Sequence, residues 1–196
     1  VYRQSSKHDT KNHLIDNSNQ YLWRMNRRRL SAEEIRDSIL SATGVLNDTQ
    51  GGPGFYLFKL EHPQHSPHYE YHKYDPTNPM SYRRAVYRFV VRSQPDPFMT
   101  ILDCADSSQS TPVRDETITS VQALAFLNNK FNLAMGQKFS ESLQQSSTDI
   151  TSQVQTAFSR MNGRLPTAQE QSELEQYARE HDLENLCRRA PCQICT

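Results

Sequence analysis

Three capping boxes constrain this chain more than any other feature. In each, a Ser or Thr hydroxyl can accept from an amide three residues on, and the Glu or Gln there can reach back to the first residue's own amide. Two of the donors that a helix start leaves over are then satisfied together. The pairs are Ser31 with Glu34, Thr119 with Gln122 and Thr167 with Glu170. Apolar residues follow each box at helical spacing: Ile35 and Ile39, then Val121, Leu124 and Ala125, then Leu174, Tyr177 and Ala178. Leu30 stands where a hydrophobic staple onto Ile35 would form, and Gly44 is the expected left-handed stop of a helix over 32–43.

Further stripes extend the pattern. Met135, Phe139 and Leu143, spaced by four, predict a helix over 131–144 after a break at Asn128 and Asn129. Ile150, Val154, Phe158 and Met161 predict another, ending at Gly163 before the turn 162–166, and Leu183, Leu186 and Cys187 suit a last short one. The densest apolar run lies in 82–129. Its first part puts Val86, Phe89 and Val90 at i, i+3 and i+4, with Arg84, Arg88 and Arg92 on a neighbouring face. A helix is the preferred reading there, although the β-branched and aromatic content also suits a strand. Residues 47–81 carry no sustained period. Gly51, Gly52, Pro53 and Gly54 turn the chain, 55–60 suits a short strand, and Pro63, Pro67, Pro76 and Pro79 forbid long helices. The expected fold is mainly α: one irregular helical module over 1–196, with long polar loops, 47–81 chief among them, and at most a short strand pair.

Composition limits the rest. Apolar residues make up 35% of the 196, and the mean hydropathy is −0.81, so the core should be thin. The chain begins at Val1 rather than Met and stops at Thr196 just after Cys195, which suggests a piece of a longer protein whose other parts complete that core. Lys plus Arg and Asp plus Glu both number 22, a balance that argues against nucleic acid and anionic membranes as partners. No segment reads as a membrane span or a signal peptide. The cysteines, Cys104 alone and Cys187, Cys192 and Cys195 crowded together, do not form an evenly spaced disulfide framework.

Few residues spell chemistry. His62, His65, His68 and His72, with Glu70 among them, have the donor types for zinc, and His65, His68 and His72 are the candidate ligands. Pro63 and Pro67 keep them off one helix face, so a solvated polar loop is the stronger reading. Asp103 and Asp106 flank Cys104, and paired carboxylates can do acid/base or hydrolytic work, with Arg83 or Arg84 as the cation that would assist. Capping aspartates explain the pair equally well. Cys104 has no histidine near it in sequence and reads as a small buried residue. The arginines of 83–92 imitate a nucleic-acid stripe, but Asp96, Asp103 and Asp106 favour internal ion pairs. Cys192 and Cys195 form a C-x-x-C in which Thr196 stands where c-type haem attachment needs histidine.

The order of segments resembles domain-of-unknown-function family 1553. It is carried by Trp23-Arg-Met-Asn-Arg-Arg-Arg-Leu-Ser-Ala-Glu-Glu-Ile-Arg-Asp37, Gly51-Gly-Pro53, Tyr82-Arg-Arg-Ala-Val-Tyr-Arg-Phe89, Pro95-Asp-Pro-Phe98, Leu102-Asp-Cys-Ala-Asp106 and Thr117-Ile-Thr-Ser-Val-Gln-Ala-Leu124. The tail from Ala190 to Thr196 departs from the family's usual apolar ending. The resemblance implies the C-terminal module of large, exported planctomycete proteins that carry c-type haem in a separate upstream domain, often with a companion family-1549 domain between. It carries over no established catalytic residues, and it implies no cofactor within this chain and upstream domains or neighbouring subunits as partners, in an extracytoplasmic setting tied to electron transfer or polysaccharide handling. The expectation is a non-catalytic structural or binding module, with a partly buried lattice of Arg and Asp at its centre. The alternatives are a carbohydrate-active hydrolase or oxidoreductase using Asp103 and Asp106, and a metal-binding module using the 62–72 histidines.

Overall fold

The computed structural model describes residues 3–62 and 66–189, so His65, Cys192 and Cys195 lie outside it. Within that range the fold is mainly α, with seven helices and one strand pair. They are α1 (Thr10–Ile15), α2 (Ala32–Thr43), α3 (Pro97–Ile101), α4 (Ser120–Asn128), α5 (Lys130–Ser146), α6 (Ile150–Asn162) and α7 (Ala168–Arg189). Strands β1 (Lys59–Glu61) and β2 (His68–Glu70) pair antiparallel in the register Leu60 to Tyr69.

All three capping boxes form. The Ser31 hydroxyl accepts from Glu34 N while Glu34 Oε2 accepts from Ser31 N, and the same exchange closes at Thr119 with Gln122 and at Thr167 with Glu170. Gly44 and Gly163 end α2 and α6 in the left-handed region, where a Cβ would be strained. Asn129 is at once the last cap of α4 and the first of α5, accepting from Phe131 N at 2.8 Å, so the break sits on one residue. The late helix merges with its neighbour into α7 across a kink at Asp182. Helix α1 is short, capped by Asp9, and buries nothing, which is why no apolar stripe announced it.

The helix expected over 82–92 is not there. The segment runs extended, broken by a single 3₁₀ turn at Ala85–Tyr87, and Val86 is 72% exposed while Phe89 and Val90 also face solvent. Its backbone groups go to the 47–55 loop instead: Asn47 N donates to Tyr82 O, Phe55 N to Tyr87 O, and Phe89 N to Phe55 O. A polar group cannot serve a helix and a neighbouring chain at once, and here the long-range bonds win.

Two apolar clusters form the core. The first gathers Ile35, Ile39 and Leu40 of α2, Tyr82, Met99, Leu102, Phe126 of α4, and Phe131 and Met135 of α5, with Leu30 packed against it. The second holds Phe139 and Leu143 of α5, Ala157 of α6, and Leu183 and Cys187 of α7. Helix α5, 17 residues, belongs to both. Side chains at zero exposure, such as Met135 and Leu143, each contribute about 1.5–3 kcal/mol from burial.

Candidate functional site

Asp103 sits where α3 has run out, in the left-handed region at φ 61°. Its carboxylate is surrounded by donors. Arg29 Nη1 reaches Oδ2 at 2.7 Å, Thr117 N at 2.8 Å, the Thr117 hydroxyl at 2.9 Å and Gln122 Nε2 at 3.2 Å. Arg29 also donates to the Thr117 carbonyl. Burial alone would raise the Asp103 carboxyl, but the bonds from Thr117 and Arg29 hold it below its ordinary value. It is therefore an ionised, fully engaged acceptor that fastens the start of α4 to the end of α3. Neither Arg83 nor Arg84 is its partner.

Asp106 lies apart, in a turn where it accepts from the amide and hydroxyl of Ser108, both at 2.8 Å, and those bonds hold its pKa low. It lines a cleft of about 400 Å³ together with Arg88, Arg92, Asp96, Thr100 and Cys104. Behind that wall Arg88 Nη2 contacts Cys104 Sγ at 3.6 Å, the thiol contacts Glu33 Oε1 at 3.6 Å, and Arg114 closes on Glu33 at 2.6 Å. Burial, and then the Glu33 charge, push the Cys104 thiol up, so it is protonated and a poor nucleophile. The Arg88 Nε and Ser107 Oγ atoms are buried without a partner.

The other candidates are dispersed. Arg83 donates to the carbonyls of Gly51, Pro53 and Thr49 and lies 4.1 Å over the Tyr87 ring, whose hydroxyl accepts from Gly51 N at 2.8 Å; it clamps the glycine turn. Arg84 stands 3.8 Å from Asp37 and is half exposed. His72 meets Glu70 at 3.0 Å on the surface, and His68 is exposed in β2. Among the described residues no three His, Cys, Asp or Glu side chains converge on a possible metal position, and the candidate His65 lies outside them.

The residue that sequence reasoning passed over is Arg36, which lies within the α2 stripe and shows no local sign of its role. It is 1% exposed and donates to the carbonyls of Arg83 (3.0 Å) and Ser81. It also forms part of the wall of a second cleft, about 270 Å³, with Tyr71, Tyr74, Phe98, Phe131 and Lys130. Asp96 lines both clefts and caps α3, accepting from Phe98 N at 2.9 Å and Met99 N at 3.3 Å. Burial pushes its carboxyl up, against the Met99 bond and the charge of Arg88.

These features define a mainly α-helical module knit by long-range arginine contacts, and no helix among the described residues is long and apolar enough to cross a membrane. The chain belongs to the PSD1 family, described as protein of unknown function (DUF1553), whose family model matches residues 1–178. No curated protein and no solved structure matches it.

Proposed function

We propose that this chain is a non-catalytic structural or binding module of a larger exported, haem-linked protein of the cytochrome-c type. In this reading it works outside the cytoplasm, beside upstream domains of the same polypeptide or neighbouring subunits, and c-type haem sits in one of those domains. Electron transfer or polysaccharide handling is the setting, a reading that rests on the family resemblance alone. The observation that carries the non-catalytic part is Asp103: its Oδ2 accepts from Arg29, Thr117 and Gln122 and its Oδ1 from the Thr117 hydroxyl at 3.0 Å, so both oxygens are held in structural bonds. One observation favours the rival, a carbohydrate-active hydrolase or oxidoreductase, since Asp106 lines an open cleft beside Arg88 and Arg92.

The experiment compares Asp103→Asn and Asp106→Asn in the full-length protein, following thermal midpoint and turnover of a polysaccharide panel. A structural module gives a lowered midpoint for Asp103→Asn and no turnover in any form. Polysaccharide turnover in the wild type that either variant abolishes at unchanged midpoint would replace this reading with the enzyme. Haem absorbance in the purified full-length protein tests the context.

A further inference from the structure

The cleft beside Arg36 has in its wall a buried cation whose carboxylate neighbours also serve other arginines. Among the described residues the only carboxylate within 4.0 Å of the Arg36 guanidinium is Asp37, at 3.8 Å. Asp37 is shared with Arg84 at 3.8 Å, and its Oδ1 also accepts from Ala85 N. Asp96 acts on both Arg36 and Arg88 and has one oxygen committed to the amides of α3. Arg36 therefore has neither carboxylate to itself, Asp37 being shared with Arg84 and Asp96 with Arg88. Lys130 adds a second cation: it lines the cleft, is itself exposed, and its Nζ donates to the carbonyl of His72, at 3.3 Å. The half-buried Glu70 pairs with the exposed His72. A guanidinium in a dry wall attracts an anion far more strongly than one in water, because the local dielectric is low.

The walls specify the rest of the ligand. Arg36 lies over the ring of Phe131 (5.2 Å), which also lines the cleft, so its charged end is bounded by an aromatic face. The Tyr71 and Tyr74 hydroxyls are committed, to the Gln94 carbonyl at 2.7 Å and to Ser81 Oγ at 2.5 Å, so these residues offer ring surface rather than donors. Flat apolar walls with one buried cation and a second at the mouth suit a ring that carries an acid.

We propose that this cleft binds a ring-bearing carboxylate, with the acid between Arg36 and Lys130 and the ring against Tyr71, Tyr74 and Phe98. The volume of about 270 Å³ admits a single ring. The proposal extends the binding reading above but is tested separately, by ligand-induced shifts rather than by the thermal midpoint of Asp103→Asn.

The test is an NMR titration of the isotope-labelled chain with D-glucuronate, benzoate and D-glucose. At least one carboxylate is expected to shift the amides of Phe98, Asn129 and Phe131, with Kd near about 1 mM, as a single ring with one ion pair allows. The two acids distinguish a sugar acid from an aromatic acid. Lys130→Glu, a solvent-facing change at the first position of α5, where an acidic residue suits the helix dipole, is expected to weaken binding at least about fivefold without lowering the thermal midpoint. Four results would each overturn the proposal: no shift with either acid, shifts confined to other residues, glucose acting as strongly as glucuronate when benzoate is silent, or Lys130→Glu binding like the wild type.

Discussion

The Asp37 carboxylate accepts the backbone N–H of Ala85 at 2.7 Å and so ties α2 to the 82–92 segment. Burial pushes this carboxyl above its ordinary value, opposed by the Ala85 bond and by Arg36 and Arg84. Asp37→Ala removes the acceptor. Hydrogen exchange read by mass spectrometry is expected to quicken across 82–92 while α5 stays protected; unchanged exchange at Ala85 would show that the bond does not hold the segment.

Asp103 combines a left-handed backbone with a filled carboxylate. Asn tolerates that backbone and keeps an acceptor, so Asp103→Asn is the mild change. Asp103→Ala loses every side-chain bond and leaves a left-handed backbone that alanine tolerates less well than Asp or Asn, and denaturant unfolding is expected to register a loss of about 2–4 kcal/mol. Asp103→Gly relieves the backbone but not the lost bonds and falls between them. An alanine variant as stable as the asparagine one would contradict this ordering.

Glu34 gives a pH dependence. The Arg28 side-chain bond, then the Ser31 amide, hold its carboxyl at about 2. A folded pKa below the unfolded one stabilises fully above the ordinary value of 4.5, and that contribution is lost as pH falls from there towards about 2. Because the Arg28 pair is exposed, the effect stays below about 1 kcal/mol. Glu34→Gln keeps the capping geometry without the charge, and its thermal midpoint should depend less on pH than the wild type's in that window. Parallel curves would rule Glu34 out as the source.

Gly136 of α5 faces the backbone of α7. A Cβ built there would lie 2.9 Å from Arg188 Cα, closer than side chains ever approach. Gly136→Ala must push α7 outward, and calorimetry is expected to show a loss of about 1–3 kcal/mol despite alanine's better helix propensity. A stabilised variant would mean that the two helices can part freely.

Asp182 kinks α7 at φ 68° and ψ 151°, a conformation that only glycine adopts without strain. Asp182→Gly is expected to raise stability by about 1 kcal/mol, measured by denaturant midpoint at constant m-value. A loss of stability would indicate that the aspartate side chain earns its place by a contact.

What could be read from the residues was whatever is settled within one turn of chain. Ser31, Thr119 and Thr167 meet their partners three residues away, and Asn129 breaks the helix where two amides stand side by side in the sequence. The 82–92 segment was misjudged because its fate depends on Asn47, Phe55 and Asp37, which nothing local reveals. Asp103 and Asp106 stand in the sequence as a possible catalytic pair or as capping aspartates, but Arg29, arriving from 74 positions away, separates their roles. Arg36 escaped notice because a charged residue inside an apolar stripe looks like a surface position until its carbonyl partners fold over it.

Helix α5 is rooted at both ends, by Phe131 and Met135 in one cluster and by Phe139 and Leu143 in the other. A rigid rod anchored in this way cannot turn at one end alone. Load placed on Phe139 or Leu143 is thus borne by the same helix that carries Phe131 to the wall beside Lys130.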